Sequence, residues 1–223
     1  MTNVETWSAV DFYLNELLVQ PEPALVDALE ASAAAGLPAI NVSPAQGKFL
    51  QLLVRLQHSK RVLEIGTLGG YSTIWLARAL PHDGRLITLE CESLYADVAR
   101  QNIGRAGLSK KVEIRFGPAA HSLAGLVAEK TAPFDFIFID ADKPGYPEYL
   151  TWSLKLSRPG TLVIADNIIR DGAVIDAEST DPKVQGVRRF NEMVAVERRL
   201  CATALQTVGS KGYDGFTIAL VTS

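Results

Sequence analysis

Cysteine, histidine and long apolar runs are scarce in this chain of 223 residues. Its two cysteines, Cys91 and Cys201, are too few for a disulfide framework and are typical of a protein kept in a reducing cytoplasm. Its three histidines lack ligand-like spacing, which disfavours a histidine-based zinc site. No apolar run approaches the roughly 18–20 residues of a membrane span, and the N-terminal pattern is not that of a signal peptide. We therefore expect a cytoplasmic protein without membrane association.

Excess charge is also missing. The net charge is −3, so the composition gives no reason to expect nucleic acid or an anionic membrane as a partner. Hydrophobic residues make up 48% of the chain, which is enough for the core of one large α/β domain. We expect a single domain over residues 1–223, with N-terminal helices over 1–57 and a Rossmann-like core over 58–223.

The N-terminal portion has helical periodicity. Trp7, Val10 and Leu14 recur at helical spacing and predict a first helix, and a second is expected from about residue 23 to 36. A third helix has a marked start, with Ser43 as N-cap and Gln46 predicted to close a capping box.

Short apolar runs then alternate with helical stretches. The predicted parallel strands are 61–65, 85–90, 112–116, 134–140 and 161–166. The helices that alternate with them are 71–80, 94–106, 119–130, 146–156 and, after a loop, 184–200. Two further strands, 202–208 and 216–221, are predicted to pair as a hairpin across the Gly- and Asp-rich residues 209–215, which include Asp214.

Two of the predicted strands end in carboxylates. Residues 134–139 are followed by Asp140 and Lys143, and residues 161–165 are followed by Asp166 and Asn167. A strand–helix–strand unit makes the strands parallel, so both ends lie at the sheet edge where open α/β sheets bind ligands. Carboxylate and amide oxygens suit a hard cation. The sequence therefore predicts a divalent cation site, with a lysine beside it.

The first predicted strand runs into a glycine-rich turn and a helix, over residues 62–72. Leu68 stands where the dinucleotide fingerprint needs its second glycine, which disfavours a nicotinamide site. Glu64 would repel a pyrophosphate but suits a ligand ammonium. The free amides at the helix start, Tyr71 and Ser72, suit a ligand carboxylate. The turn therefore favours a zwitterionic amino acid, such as the methionine part of S-adenosylmethionine.

The next two predicted strands end in groups that suit a nucleoside. Glu90 closes the second strand, at a position where an acidic side chain typically binds ribose hydroxyls. The third strand is followed by Gly117, Pro118 and Ala119, whose backbone suits contact with an adenine edge.

Taken together, these motifs resemble those of the cation-dependent O-methyltransferases, which include the catechol and caffeoyl-coenzyme A types. The matching segments are E-I-G-x-x-x-G-Y-S over 64–72, F-I-D-A-D-K over 138–143 and A-D-N over 165–167. The resemblance covers the chain from about residue 40 to the C-terminus. It implies an α/β, Rossmann-like class I methyltransferase fold. Such a fold has a seven-stranded mixed sheet of five parallel strands and a C-terminal antiparallel hairpin, with helices on both faces.

The resemblance also implies roles for individual residues. In the family, the residue matching Lys143 is the proposed base, and those matching Asp140, Asp166 and Asn167 hold Mg²⁺ or another divalent cation such as Mn²⁺. The implied S-adenosylmethionine contacts are Val42, Glu64, Gly66, Gly70, Tyr71, Ser72, Glu90, Cys91, Pro118, Ala119 and Asp140. Bacterial and plant members are commonly dimeric, which implies a homodimer.

The leading hypothesis is Mg²⁺-dependent methyl transfer from S-adenosylmethionine to a hydroxyl of a small vicinal dihydroxy aromatic, of the catechol, flavonoid or hydroxycinnamoyl type. Two adjacent hydroxyls chelate one cation, which lowers the pKa of a bound hydroxyl. One alternative is a nicotinamide-dependent oxidoreductase, which Glu64 and Leu68 disfavour. The other is a non-catalytic S-adenosylmethionine-binding protein. The set around Asp140 and Lys143 disfavours it, because a pure binder has no need of these residues.

Overall fold

One mixed sheet of seven strands lies at the centre of the structure, a computed structural model that describes residues 2–20 and 22–223. Its strands are β1 (Arg61–Ile65), β2 (Arg85–Glu90), β3 (Val112–Phe116), β4 (Phe136–Ile139), β5 (Leu162–Asp166), β6 (Leu200–Gly209) and β7 (Gly212–Val221). They lie in the order β3-β2-β1-β4-β5-β7-β6. Strands β1 to β5 are parallel, and β7 is antiparallel to both of its neighbours. The predicted sheet is therefore confirmed.

Helices cover both faces of this sheet. They are α1 (Asn3–Leu18), α2 (Pro23–Ala34), α3 (Pro44–Leu56), α4 (Tyr71–Ala79), α5 (Ser93–Arg105), α6 (Ala119–Ala128), α7 (Tyr146–Lys155) and α8 (Pro182–Val196). Apolar residues of α2 to α5 form the core on one face, and those of α6 to α8 form the core on the other. Within the described chain, no helix is both long and apolar enough to cross a membrane.

Strand β4 shows how the sheet is built. Phe136 and Phe138 belong to one core, whereas Ile137 and Ile139 belong to the other, and all four are fully buried. A strand buried on both faces needs a continuous apolar run, because successive side chains point to opposite sides. The strand is shorter than the predicted 134–140.

The parallel register places the strand ends side by side. Ile65 pairs with Ile139, and Ile139 pairs with Ala165. Asp140, directly after β4, and Asp166, the last residue of β5, therefore lie at adjacent positions. This alignment gathers the predicted site residues of β1, β4 and β5 at one edge.

The C-terminal hairpin differs from the prediction. Gly209 pairs with Gly212, so the turn contains only two residues rather than the predicted 209–215. Asp214 lies within β7, where its Oδ1 accepts hydrogen bonds from the backbone N–H groups of Ile169 at 2.9 Å and Arg170 at 3.1 Å. Its side chain therefore fixes the loop after β5 instead of forming the turn. Helix α8 also ends before the predicted residue 200, which is already part of β6.

Helix α1 confirms the predicted N-terminal helix but contributes no buried residue. It lies near the end of β6, since Asp11 Oδ2 accepts a hydrogen bond from Ser210 N at 2.7 Å. Several large apolar side chains of α1 are exposed, among them Phe12, Leu17 and Leu18.

Candidate active site

The glycine-rich turn after β1 passes directly over the end of β4. Gly66 has a φ of +100°, and a Cβ at this position would lie 2.0 Å from the carbonyl oxygen of Asp140. Real Cβ contacts are never that short, so only glycine fits here. Gly70 has a φ of +81° and is the N-cap residue of α4. Leu68 also has a positive φ, +49°, which is uncommon for a residue with a side chain.

Glu90 ties this turn to the end of β2. Its Oε2 accepts hydrogen bonds from Thr67 N at 3.3 Å and Leu68 N at 2.8 Å, and its Oε1 accepts from Cys91 N at 2.8 Å and Glu92 N at 2.9 Å. Hydrogen bonds to an ionised acceptor are the stronger kind. The sequence predicted a ribose contact for Glu90 and gave no sign of this bridging role between two loops.

Glu64 is fully buried within β1. Its Oε1 accepts a hydrogen bond from Ser72 Oγ at 2.6 Å, and its Oε2 accepts from Thr88 Oγ1 at 2.7 Å and from Thr73 Oγ1. Burial raises the pKa of Glu64 to about 7, although the three hydroxyls act in the opposite direction and Asp140 adds to the increase. Both oxygens are engaged inside the protein, and the contact with a ligand ammonium stays a prediction.

Asp166 is held at both of its carboxylate oxygens. Oδ1 accepts a hydrogen bond from Asn167 N at 2.8 Å, and Oδ2 accepts from Gln46 Nε2 at 2.6 Å. Burial and the negative charge of Asp140 raise the pKa of Asp166 to about 7. Asn167 has a φ of +56°, so the backbone turns sharply at the end of β5.

The contact from Gln46 corrects the predicted capping box. Ser43 does cap α3, since its Oγ accepts a hydrogen bond from Gln46 N at 3.2 Å. The Gln46 side chain, however, reaches Asp166 instead of returning to the backbone of the N-cap residue. In a capping box the side-chain oxygen of Gln46 would accept a hydrogen bond from the backbone N–H of Ser43, whereas here its Nε2 donates to a buried carboxyl group.

Lys143 lies against Asp140, just after the end of β4. It begins a short 3₁₀ turn whose N-cap is Asp142, and it is only 8% exposed. Its Nζ donates hydrogen bonds to Asp140 Oδ1 at 3.1 Å and to Tyr146 Oη at 2.7 Å. The hydroxyl of Tyr146 in turn lies 2.8 Å from the carbonyl oxygen of Asp166. The sequence places Tyr146 three residues after Lys143, beside the predicted cation site, but it did not predict this hydrogen bond.

The donor set at these strand ends has the chemistry of a Mg²⁺ site. It offers two carboxylates, Asp140 and Asp166, and one side-chain amide, Asn167. No group of three His, Cys, Asp or Glu side chains suited to a metal occurs in residues 2–20 and 22–223. Mg²⁺ usually keeps several waters and needs only one or two carboxylates. The negative charge of Asp140 helps to raise the pKa of Asp166, and a bound cation would offset this repulsion between the two carboxylates.

The remaining predicted cofactor residues lie in the segments that follow other strands. Cys91 comes directly after β2 and is exposed. Pro118 and Ala119 begin α6 after β3. Tyr71 begins α4 and packs edge-on against Trp75, with the two ring centroids 6.4 Å apart. Val42, which is buried, lies in the core between α2 and α3.

A separate cleft of about 510 Å³ opens at the opposite edge of the sheet, where β1, β2 and β3 begin. Basic side chains line it, among them Arg61, Arg85 and Lys111. Arg61 and Lys111 donate hydrogen bonds to the backbone carbonyls of Ala132 and Leu80, at 3.1 and 2.7 Å. No predicted site residue lines this cleft, which is therefore separate from the candidate active site.

Comparisons with known proteins agree with the geometry. Residues 16–220 match the family described as O-methyltransferase. The chain is 57% identical to a catechol O-methyltransferase of Niastella koreensis, over 98% of this chain and 99% of the relative.

Solved structures show the same fold. The O-methyltransferase from Bacillus cereus in complex with SAH superposes with a TM-score of 0.97, at 59% identity, over 98% of this chain and 99% of that one. The O-methyltransferase TomG from Streptomyces achromogenes, in complex with SAM, superposes with a TM-score of 0.97, at 52% identity, over the whole of both chains. These matches favour neither the oxidoreductase nor the non-catalytic alternative. The chain belongs to the O-methyltransferase family, and it is an S-adenosylmethionine-dependent O-methyltransferase.

Proposed function

We propose that this enzyme methylates one hydroxyl of a vicinal dihydroxy aromatic and that it requires Mg²⁺ or another divalent cation. The observation that carries the proposal is the register that places Asp140 and Asp166 at adjacent strand ends, with the buried amine of Lys143 against Asp140. The name of the Niastella koreensis relative, a catechol O-methyltransferase, supports a catechol as substrate.

In this proposal Asp140, Asp166 and Asn167 hold the cation. When bound, the cation supplies chelation of both substrate hydroxyls and a lower pKa for the hydroxyl that reacts. The carboxylate of Asp166 is preorganised, because Asn167 N and Gln46 Nε2 each donate a hydrogen bond to one of its two oxygens. A ligand that is already oriented loses less entropy when the cation and substrate bind.

Lys143 is the proposed base. Its amine, in the neutral form, accepts the proton of the reacting hydroxyl at Nζ. Methyl transfer is an in-line displacement at an already activated sulfonium, so the main tasks of the protein are to orient the oxygen nucleophile and to exclude water. The low exposure of Lys143 suits both tasks.

The cofactor is proposed to lie along the turn of residues 66–72 and the adjacent ends of β2 and β3. The amides at the start of α4 suit its carboxylate, because a helix N-terminus carries partial positive charge. The Glu90 hydrogen bonds support the shape of the turn. Glu64 acts in one of two ways, through direct contact with the ammonium or by holding Ser72.

We also propose a homodimer formed through α1 and β6. Exposed apolar side chains lie on both elements, including Phe12, which is 65% exposed, and Leu205 and Val208, each 52% exposed. A second copy that covered them would remove this apolar surface from water. Light scattering on the protein and on Phe12→Glu measures the molar mass, and a wild-type monomer would overturn this assignment.

A turnover assay with matched substrates tests the catalytic proposal. Metal-free protein, S-adenosylmethionine and a catechol should give no product, and Mg²⁺ or Mn²⁺ should restore a product heavier by one methyl group in the mass spectrum. A phenol with a single hydroxyl is the matched control and should react poorly because it cannot chelate. Full turnover after exhaustive chelation would overturn the cation requirement, and equal turnover of both substrates would overturn the preference for diols.

Two variants assign the roles. Asp166→Ala should lose turnover and cation binding while it keeps S-adenosylmethionine affinity, measured by calorimetry. Lys143→Met keeps side-chain bulk and removes only the amine, so it should lower kcat by roughly 10²–10⁴-fold, the usual contribution of a general base. Wild-type turnover by Lys143→Met would mean that the hydroxyl is activated without the lysine.

A further inference from the structure

Tyr146 lies directly beneath the amine of Lys143. It is the first residue of α7 and is fully buried. Its ring packs edge-on against Phe190, with centroids 5.5 Å apart, and the Nζ of Lys143 lies 4.7 Å from its ring centroid. The ring is thus fixed by the core on one side and faces the lysine on the other.

The direction of the hydrogen bonds around Tyr146 Oη is set by chemistry. The hydroxyl lies within hydrogen-bond distance of two backbone carbonyl oxygens, those of Asp166 at 2.8 Å and Ile139 at 3.2 Å. Carbonyl oxygens only accept, so the single proton of Tyr146 is donated to them. The oxygen of Tyr146 must therefore accept from Lys143 Nζ, at 2.7 Å.

This fixed direction matters once the lysine is neutral. A neutral amine carries two N–H groups and one lone pair, and it still donates to Tyr146 Oη. The hydroxyl cannot turn to quench the lone pair without losing its bond to the Asp166 or Ile139 carbonyl. The lone pair then points away from Tyr146 and remains available to a substrate hydroxyl.

The same bonds tie the amine to both acidic strand ends. Asp166 ends β5, and Ile139 is the last residue of β4, directly before Asp140. Tyr146 therefore links Lys143 Nζ by hydrogen bonds to β4 and β5, the two strands whose ends carry the predicted cation ligands. A tyrosine that served only to fill the core would need no hydroxyl at this depth.

We propose that Tyr146 is a positioning residue that holds the Lys143 amine in one orientation, with its lone pair directed to the reacting hydroxyl. This inference rests on the proposed function of Lys143 as base. Tyr146 itself exchanges no proton with the substrate.

A double-mutant cycle tests the inference. Tyr146→Phe removes only the hydroxyl and should lower kcat by roughly ten- to a hundredfold, the scale expected for a misplaced catalytic group. The KM for the catechol and the affinities for S-adenosylmethionine and Mg²⁺ should stay within about twofold, because Tyr146 acts on orientation and not on binding. In the Lys143→Met background the same change should have no further effect, since the amine that it orients is absent.

A second readout does not depend on turnover. Lys143 in metal-free protein is labelled with an amine-reactive reagent, and its labelling rate is followed by mass spectrometry. Tyr146→Phe should change this rate severalfold, because the amine is no longer fixed. Tyr149 lies on the same helix, and its hydroxyl donates a hydrogen bond to Asp142. Tyr149→Phe removes that hydroxyl and should leave the labelling rate of Lys143 unchanged. If Tyr146→Phe does not fold, fluorotyrosine at position 146 keeps the shape and weakens the acceptor, and the rate should still change.

The outcomes separate the inference from the proposed function. Wild-type turnover by Lys143→Met overturns the base assignment, and the inference falls with it. A large loss in Lys143→Met together with wild-type kcat and labelling in Tyr146→Phe overturns the inference alone. An equal loss from Tyr146→Phe with and without the lysine would also overturn it, because the tyrosine would then act independently of Lys143.

Discussion

Gly186 of α8 lies against the backbone of Lys143: a Cβ on Gly186 would be 2.2 Å from the Lys143 carbonyl oxygen. No real Cβ approaches an atom so closely, and the obstacle is backbone that cannot rotate away. The absence of a side chain at Gly186 therefore lets α8 pack directly against the backbone of the turn that carries Lys143, the proposed base.

Gly186→Ala should destabilise the protein and lower kcat, although alanine favours a helix by about 1 kcal/mol over glycine. Overpacking at a rigid contact costs typically about 1–3 kcal/mol and would displace Lys143. Gly125→Ala on α6 is the matched control, because its new Cβ would meet only a Glu129 side-chain oxygen at 3.7 Å. Denaturant unfolding and kcat measure both variants, and equal behaviour of the two would contradict the contact.

Gln46→Leu should weaken divalent cation binding while S-adenosylmethionine affinity stays within about threefold. The change leaves Asp166 Oδ2 without its donor, and the loss of such a supporting group typically costs about 10–100-fold in metal affinity. Gln57→Leu is the control, because Gln57 ends the same helix and bonds instead to the carbonyl of Gly160. Titration with Mn²⁺ followed by electron paramagnetic resonance gives the affinities, and an unchanged value for Gln46→Leu would mean that Asp166 needs no such support.

Glu64→Gln should become more stable relative to wild type as the pH rises. The folded pKa of Glu64 is raised from 4.5 to about 7, so between these values the folded state binds a proton that the unfolded state has released. Wild-type stability therefore falls with rising pH across this window, by an upper limit of about 3 kcal/mol from this one group, and the cost is constant above it. Glutamine has no such titration.

Urea unfolding of both proteins at pH 5, 6, 7 and 8 measures the difference. Other groups that titrate in this range, including Asp166, contribute to both proteins and cancel to first order. A gap that stays constant from pH 5 to 8 would show that Glu64 is ionised in the fold throughout.

Glu90→Gln should destabilise the protein and loosen the glycine-rich turn. The amide nitrogen cannot accept hydrogen bonds, so two of the four backbone N–H groups now bound by the carboxylate lose their acceptor. Each unsatisfied buried donor costs roughly 1–3 kcal/mol. Glu113→Gln, on the neighbouring strand and exposed, should change stability by no more than about 0.5 kcal/mol. S-adenosylmethionine affinity should fall only in the Glu90 variant, and retention of both stability and affinity would contradict the bridging role.

Local sequence patterns determined much of the fold. The limits of β1, β2 and β3 match the predicted 61–65, 85–90 and 112–116. Apolar runs mark the buried strands β1 and β2, and alternation of apolar and charged residues marks the edge strand β3. The positions of Asp140 and Asp166 at adjacent strand ends also followed from the sequence. Parallel strands joined by a helix must end at the same edge, whatever their detailed packing.

Only the tertiary structure decided which partner each polar side chain binds. Gln46 lies 120 residues from Asp166 along the chain, and its local signal favoured a helix cap. Asp214 had the local signal of a turn, yet it fixes the loop after β5. Tyr146 reaches the Asp166 carbonyl only because the start of α7 packs against the end of the sheet. Sequence spacing sets the backbone path, whereas a hydrogen bond depends on which donors and acceptors lie within about 3 Å once the segments have packed.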